Sequence, residues 1–479
     1  MSDTTAEGYL DRRSPRGRAM LAAVTLGSGI AILDGSIVNV ALRAVGEDLG
    51  ASLPQLQWVL GGYLLTLASL VLVAGALGDR HGRRRVYLVG VTWFMVASAL
   101  CALAQDPAQL IAARVVQGVG AALLTPGALA LIETSYAPED RAPAIGTWAG
   151  VSGIAAAVGP FVGGLIVDVT TWRWIFAINV PLCVLVIVLA RWSAPESRDE
   201  EMQGRFDLVG STLVVVSLGA STWALTTAAD ASAGALTVAW VVAAAATAAF
   251  LVRIRRVPHP LVPPHLFGSR VFSAANAMTL LVYGAFGAVL LFVVIQVQVT
   301  SGWSATASGL VSLPITVALM MFSSRAGALS ARIGPRVPMT VGPILCGAGT
   351  LGMVGVGEGT GWLGVLPGMV VFALGLALLV SPLTATVLAA VADRYAGLAS
   401  GINNAVARTG SLLAVAALPA LVGLSGTDYT DPVAFTEGYR RAMVICAVLL
   451  AAGGVISWFG LRPGAVGGSR GTPPTAVDR

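Results

Sequence analysis

Lysine is missing altogether: all 29 basic residues among the 479 are arginine. A phosphate-binding P-loop requires its lysine, so the chain lacks that route to ATP hydrolysis and must draw energy from elsewhere. Histidine is almost as scarce. His81, His259 and His265 all lie in charged connecting segments, which leaves no imidazole within an apolar segment for a serine/histidine protease or acyltransferase site. His259 and His265 flank a proline-rich stretch without carboxylates, so neither a metal site nor a cofactor is expected, and an enzyme is not the expected class. Cysteine occurs four times, as Cys101, Cys183, Cys346 and Cys446, each alone in its own apolar run. That is the pattern of small core residues, not of a disulfide framework. Charge itself is low at 11%, against 56% hydrophobic residues and a mean hydropathy of +0.81, values that exclude a water-soluble globular domain of this size.

What the chain does have is a succession of apolar runs, each near the roughly 20 residues that cross a bilayer as a helix. Fourteen are legible: 19–42, 55–77, 86–104, 108–132, 144–167, 174–190, 207–227, 235–252, 272–299, 305–323, 337–356, 363–390, 398–422 and 442–461. Arginine placement orients them, because positive residues in short loops stay on the cytoplasmic side. With the N-terminus inside, 23 arginines fall in cytoplasmic segments, four (Arg43, Arg173, Arg440, Arg441) in outer ones, and two (Arg114, Arg408) within the runs. Both termini are therefore expected in the cytoplasm. The net charge of +5 reflects this orientation rather than a nucleic-acid partner, since no single face concentrates it. The first run follows four arginines as a secretory signal would, but it is too long and lacks a small-residue cleavage site, so it is expected to stay as an anchor.

The stretch GALGDRHGRRRVYL, from Gly75 to Leu88, places five charges and three glycines between two apolar runs, as a membrane hairpin turn would. A degenerate copy, GALSARIGPR, follows 252 residues later, with Gly327, Leu329, Arg332, Gly334 and Arg336 repeating Gly75, Leu77, Arg80, Gly82 and Arg84. The expected fold is accordingly an all-α integral membrane protein with 14 transmembrane helices in two parallel repeats. A six-helix bundle covers 1–190, a charged linker with two inserted helices 191–258, a second six-helix bundle 259–462, and a disordered cytoplasmic tail 463–479. Parallel repeats of this kind are a transporter signature.

A charged side chain in hydrocarbon costs about 2.5 to 3.5 kcal/mol on insertion scales, so one retained deep in a helix is functional by default. Asp34, Arg114 and Arg408 qualify. At 1.5 Å per residue, Asp34 lies about 12 Å and Arg114 about 9 Å inside the outer ends of their runs, level enough to pair. A static ion pair would merely lock two helices. A carboxylate beside a guanidinium is also a proton switch, because moving the arginine changes how readily the acid takes up a proton. On this reading Asp34 carries the proton and Arg114 tunes it. Arg408, near mid-membrane in the thirteenth run, has no matching acid; it binds an anionic substrate group or hydrogen-bonds helix carbonyls. In the fifth run, Gly159, Gly163 and Gly164 with Pro160 predict close helix approach and a bend, a sliding and sealing surface between the halves. Trp58, Tyr63, Trp148, Gln296 and Asn403 are candidate walls of a substrate cavity, with Arg408 beside them, because pockets for organic molecules combine aromatic faces with sparse polar groups.

These strings resemble the major facilitator superfamily, and in particular its fourteen-helix drug/proton antiporter branch. GALGDRHGRRR is similar to the superfamily's loop motif between helices 2 and 3, and LDGSIVNVAL, with Asp34 and Asn39, to the branch's helix 1 signature. RVVQGVGAA, with Arg114, Gln117, Gly118 and Gly120, resembles the helix 4 motif implicated in proton transfer. AAAVGPFVGG resembles the helix 5 antiporter motif, and WRWIFAINVP, from Trp172 to Pro181, a further stretch of the branch. Three departures stand out: Ala155 replaces the usual first glycine of the helix 5 motif, Arg43 stands where helix 1 usually has proline, and Ala331 stands in the second turn where the first has Asp79.

The resemblance implies that Asp79, Arg80, Gly82, Arg83 and Arg84 form a conformational latch between the cytoplasmic ends of the halves, and it adds Asn39 and Gln117 to the cavity. It further implies a proton-coupled antiporter, a functional monomer in the cytoplasmic (inner) membrane, that exports small amphipathic compounds such as drugs, antibiotics or secondary metabolites by alternating access. The proton gradient supplies the energy. A proton-coupled importer of a small nutrient keeps the fold and reverses the direction, against the antiporter-like helix 5. A non-transporting membrane sensor or scaffold is the alternative of another class.

Overall fold

The computed structural model describes residues 9–198, 207–258, 260–392 and 395–461, and among these the chain is helical, with no strand. His259 and the expected tail over 463–479 lie outside them. The helices in chain order are α1 (Pro15–Leu49), α2 (Leu53–His81), α3 (Arg83–Ala102), α4 (Pro107–Ser135), α5 (Pro138–Val169), α6 (Trp174–Ala177), α7 (Asn179–Ser193), α8 (Leu208–Thr226) and α9 (Ala233–Arg256). They continue as α10 (Arg270–Val299), α11 (Ala305–Leu310), α12 (Leu313–Ile333), α13 (Arg336–Gly352), α14 (Trp362–Ala389), α15 (Ala396–Leu421) and α16 (Pro432–Gly460). With α6–α7 and α11–α12 each taken as one crossing, thirteen are long and apolar enough to span a membrane. The remaining one, α13, has 17 residues.

Local sequence explains where these helices begin and break. Several start with a side-chain cap followed by proline, whose missing N–H would have no helical partner there: Ser14 Oγ accepts from Gly17 N ahead of Pro15, and Asp106 Oδ1 from Gln109 N ahead of Pro107. Two expected continuous runs are interrupted. Pro181 cannot donate to the carbonyl of Ala177 and Pro314 cannot donate to that of Leu310, and α6 and α11 end at those two residues. The turns from α2 to α3 and from α12 to α13 pass through Gly82 and Gly334 with φ of 103° and 84°, conformations open to glycine and strained for other residues.

Some expected boundaries are too short. Helix α1 runs on to Leu49, so Arg43 lies in a helix and bonds Glu47 one turn on at 2.8 Å, not in a loop. Capped by Asp431, α16 starts ten residues before the apolar run and takes in Arg440 and Arg441. Charge hid these extensions, because an apolar run ends where Arg43, Glu47, Glu437, Arg440 and Arg441 stand.

Helices α1–α7 pack on one another, and so do α10–α16, with matching partners: α3 on α4 and α13 on α14, α2 on α4 and α12 on α14, α1 on α5 and α10 on α15. Helices α8 and α9 pair together, and α8 touches α2 and α15. The two groups meet along α2 with α15, and along α5 with α11 and α12.

These seams are closed at the distal end, opposite the proximal end where α1 begins and α16 finishes. There Asp168 accepts from Ala305 N at 3.0 Å, Thr306 N at 2.9 Å and Thr306 Oγ1 at 2.6 Å. Gln298 Nε2 donates to Val40 O at 3.1 Å, and Arg43 donates to the Gln298 carbonyl. Tyr429 donates to Ala51 O at 2.8 Å and Gln57 to Val415 O at 2.7 Å. Toward the proximal end α5 and α12 lose these contacts: a Cβ at Gly146, Gly150 or Gly153 of α5 would meet nothing, and Met320, Met321 and Phe322 of α12 are exposed, while α2 and α15 stay close, with Leu72 Cδ2 2.7 Å from where a Cβ at Gly401 would lie.

Candidate functional site

Asp34, midway along α1, and Arg114, two turns into α4, lie fully inside the first group of helices, 0% and 1% exposed, with Arg114 Nη1 2.5 Å from Asp34 Oδ2. Other residues fill the remaining bonding directions. Asp34 Oδ1 accepts from Gln117 Nε2 at 2.9 Å and Asn179 Nδ2 at 3.0 Å. Arg114 donates from Nε to Val59 O at 3.0 Å and from Nη1 to Gln117 Oε1 at 2.6 Å. Ser98 Oγ accepts from Gln117 at 2.8 Å and from Asn179 at 3.3 Å. The guanidinium also lies 4.4 Å from the Tyr63 ring centroid and 5.6 Å from that of Phe176, two further faces that favour a cation. A charge pair out of water persists only when satisfied in this way.

The network borders a cavity of about 300 Å³. Asn39, Tyr63 and Arg114 contribute from the first group, together with Ser36 and Pro160; Phe286, Ser312 and Ser411 contribute from the second. A smaller cavity of about 180 Å³ is lined by Asn403, Asn404, Tyr283 and Thr384, all in the second group. Arg408 stands on the α15 face between them, one turn after Asn404 and one before Ser411. Its Nε is buried without a hydrogen-bond partner among the described residues.

Four proposed cavity residues lie elsewhere. Trp58 donates to Thr226 of α8 at 3.0 Å, and Trp148 to Ser28 across the α1–α5 seam at 2.9 Å. Gln296 is fully buried, bonded to Val356 O and Thr436 at the distal end, and Gln117 belongs to the Asp34 network. Each is an amphipathic side chain whose polar tip is taken up by a neighbouring helix. Asn403, too, is engaged, by Asn276 at 3.1 Å and Thr279 at 2.9 Å.

In the α2–α3 turn, Asp79 pairs with Arg83 at 2.8 Å, while Arg84 lies 3.7 Å from Glu196 and donates to Ala194 O at 3.1 Å. Asp79, Arg83 and Arg84 thus bond within the first group and the segment after α7. In α5, Gly163 faces Ile37 of α1 and Gly164 faces Ala305: a Cβ would lie 2.0 Å from Ile37 Cγ1 and 2.4 Å from the Ala305 carbonyl oxygen. Gly159 lies against Ser36, and the Pro160 carbonyl faces Gly309 of α11.

Sequence reasoning passed over Asn179 and Ser98, and the whole distal seam. Asn179 carried a signal, as a lone amide within an apolar run, two residues before a proline.

A many-helix membrane protein with a sealed ion pair beside a cavity shared by two helical groups has the construction of a membrane transporter. The chain belongs to the Major Facilitator Superfamily, whose family model matches residues 24–415. It is 34% identical over 424 residues to the tetracenomycin C resistance and export protein of Streptomyces glaucescens, covering 88% of this chain and 78% of that one. To the multidrug resistance protein Stp of Mycobacterium tuberculosis it is 35% identical over 403 residues, covering 83% and 74%. The crystal structure of a bacterial homolog of the human lysosomal transporter Spinster shares the fold, with a TM-score of 0.67 at 16% identity, over 93% of this chain and 97% of that one.

Proposed function

We propose that the chain is a proton-coupled antiporter exporting small amphipathic organic compounds by alternating access. Its fourteen crossings form two six-helix bundles, α1–α7 and α10–α16, and the insert α8–α9. The observation that carries this reading is the position of Arg114, paired with Asp34 on one side and walling the shared cavity on the other. A proton on Asp34 removes the charge that holds Nη1. Gln117 Nε2 and Asn179 then keep the neutral acid in place, Val59 O retains Nε, and Nη1, left with only the neutral Gln117 Oε1, is released more readily toward the cavity. A substrate and a proton therefore exchange through one side chain.

The matched helix pairs and the paired glycine turns support a duplicated architecture. On this reading the proximal end, with both termini, faces the cytoplasm, the membrane is the inner one, and the closed distal seam makes this an inward-open state. The latch around Asp79, Arg80, Gly82, Arg83 and Arg84 acts in the opposite state. Arg408, whose Nε has no hydrogen-bond partner among the described residues, anchors an acceptor group on the substrate. One chain supplies both walls of the cavity, so a monomer suffices. Relatives named for resistance and export favour the outward direction.

The test is reconstitution into liposomes with the pH gradient and membrane potential imposed separately. Uphill substrate movement driven by the pH gradient, and lost in Asp34→Asn with the protein still inserted, is expected; undiminished uphill transport by that variant removes Asp34 from the mechanism. In whole cells a protonophore should raise substrate accumulation, whereas for an importer it would lower it.

A further inference from the structure

On the membrane-facing side of the first bundle, away from the shared cavity, lies a groove of about 630 Å³ between α3, α4 and the end of α7. Its walls are Leu88, Val89, Thr92, Trp93, Val96 and Val116, and its proximal end is formed by two arginines, Arg85 in the first turn of α3 and Arg191 in the last turn of α7. Val89, Trp93 and Val96 are exposed. The indole is nonetheless fixed, because Trp93 Nε1 donates across to Val116 O of α4 at 2.9 Å.

Two features make the groove more than a stretch of lipid-facing wall. The first is charge. Arg85 and Arg191 have no hydrogen bond or ion pair among the described residues, and of the described acids close by in sequence Asp79 is engaged with Arg83 and Glu196 with Arg84. Two guanidinium groups at one mouth thus lack a counter-anion among the described residues. The second is length. Arg85, Val89, Trp93 and Val96 follow one another along a single face of α3, and at 1.5 Å per residue this stripe extends about 16 Å, close to the roughly 15 Å depth of one hydrocarbon leaflet.

We propose that this groove is a binding site for an anionic phospholipid of the proximal leaflet, its phosphate between Arg85 and Arg191 and one acyl chain laid along Val89, Trp93 and Val96. Planar guanidinium donors suit a phosphate, and basic positions at the membrane edge of transmembrane helices favour anionic head groups. Because α3 and α7 each contribute one arginine, the lipid joins the start of one helix to the end of the other, next to the turn that carries Asp79. The inference stands apart from the transport reading and needs only that the chain sits in a bilayer.

The test is native mass spectrometry of the full chain purified in detergent and offered equimolar phosphatidylglycerol and phosphatidylcholine with identical acyl chains. Preferential retention of one phosphatidylglycerol, on the order of tenfold, is expected; in R85Q/R191Q the preference should vanish, and in R85K/R191K it should largely persist. Trp93→Ala should weaken retention, and glycerol 3-phosphate, the head group without chains, should not displace the bound lipid. Equal retention of the two lipids by the parent, displacement by glycerol 3-phosphate, or an undiminished preference in R85Q/R191Q would overturn the proposal. A thermal melt with and without added phosphatidylglycerol provides a second readout: stabilisation is expected in the parent and not in a folded R85Q/R191Q, and equal stabilisation of both would count against the site.

Discussion

Asn179 Nδ2 reaches Asp34 Oδ1 at 3.0 Å, at the carboxylate oxygen opposite the one that Arg114 takes. Asp34 is thus held from both sides, by α4 and by the first residue of α7, and the break before Pro181 is what places that amide there. Asn179→Ala should therefore slow proton-driven transport by roughly tenfold, the equivalent of one hydrogen bond to a charged group, while passive downhill flux persists. Equal losses in both would reduce Asn179 to packing.

Asp34→Asn and Arg114→Ala should behave differently. The amide keeps the shape and an acceptor, so Asp34→Asn is expected to fold normally and lose coupling. Arg114→Ala strands a buried carboxylate and should cost about 3 to 5 kcal/mol of stability, read as a lowered melting temperature. Arg114→Lys removes the fork that reaches Val59 O and Asp34 together, and should impair turnover strongly; near-normal transport would mean that only a point charge matters.

Asp168→Ala should open the distal seam. Hydrogen bonds to an ionised group contribute about 1.5 to 3 kcal/mol, enough to move a balanced population on the order of tenfold. The expected result is slower modification of Gly146→Cys by a water-soluble maleimide, because the proximal opening is less often present. An unchanged rate would show that the seam is held elsewhere.

Arg408→Gln separates substrates by charge. Export of monoanionic compounds should show a raised KM with a smaller change in kcat, while neutral analogues remain within about twofold, because only the former lose an ionic partner. The same loss for both would point to a structural role.

Asp207 caps α8 at the start of the insert. Burial opposes its ionisation, but hydrogen bonds from Arg253 and from the Gly210 and Leu261 amides outweigh this, leaving the carboxyl below its ordinary value. A lowered folded-state value means that its stabilisation is complete above the unfolded value near pH 4 and is lost as pH falls through the folded one. Asparagine keeps the cap but loses the ionic bond to Arg253, so Asp207→Asn should cost about 1 kcal/mol at neutral pH. The gap in melting temperature between parent and variant should close on acidification toward pH 3.

The parts legible in the sequence were those that carry a penalty or a constraint. Asp34 and Arg114 stood out because charge in hydrocarbon is costly, and depth arithmetic alone placed them level. Gly82 and Gly334 marked the repeated turns because few other residues tolerate their backbone. Asn179 and Ser98 are uncharged and, once hydrogen-bonded, cost far less to bury than a charge, so Ser98 left no trace and Asn179 only that of a lone amide in an apolar run. Nothing in the sequence placed the tips of Trp58 and Gln296 on Thr226 and Val356, because a polar tip serves equally well to line a cavity or to bond a neighbouring segment, and only the packing tells the two uses apart.

The distal seam has one further property. Nearly every bond across it has a main-chain member: the carbonyls of Val40, Ala51, Gln298 and Val415, and the amides of Ala305 and Thr306. A backbone carbonyl survives any substitution and a backbone N–H survives all but proline, so in these bonds only the side-chain member can drift. The residues that supply only a backbone group there can change as long as the helix stays in place, so the closure depends on few side chains: Arg43, Gln57, Asp168, Gln298 and Tyr429.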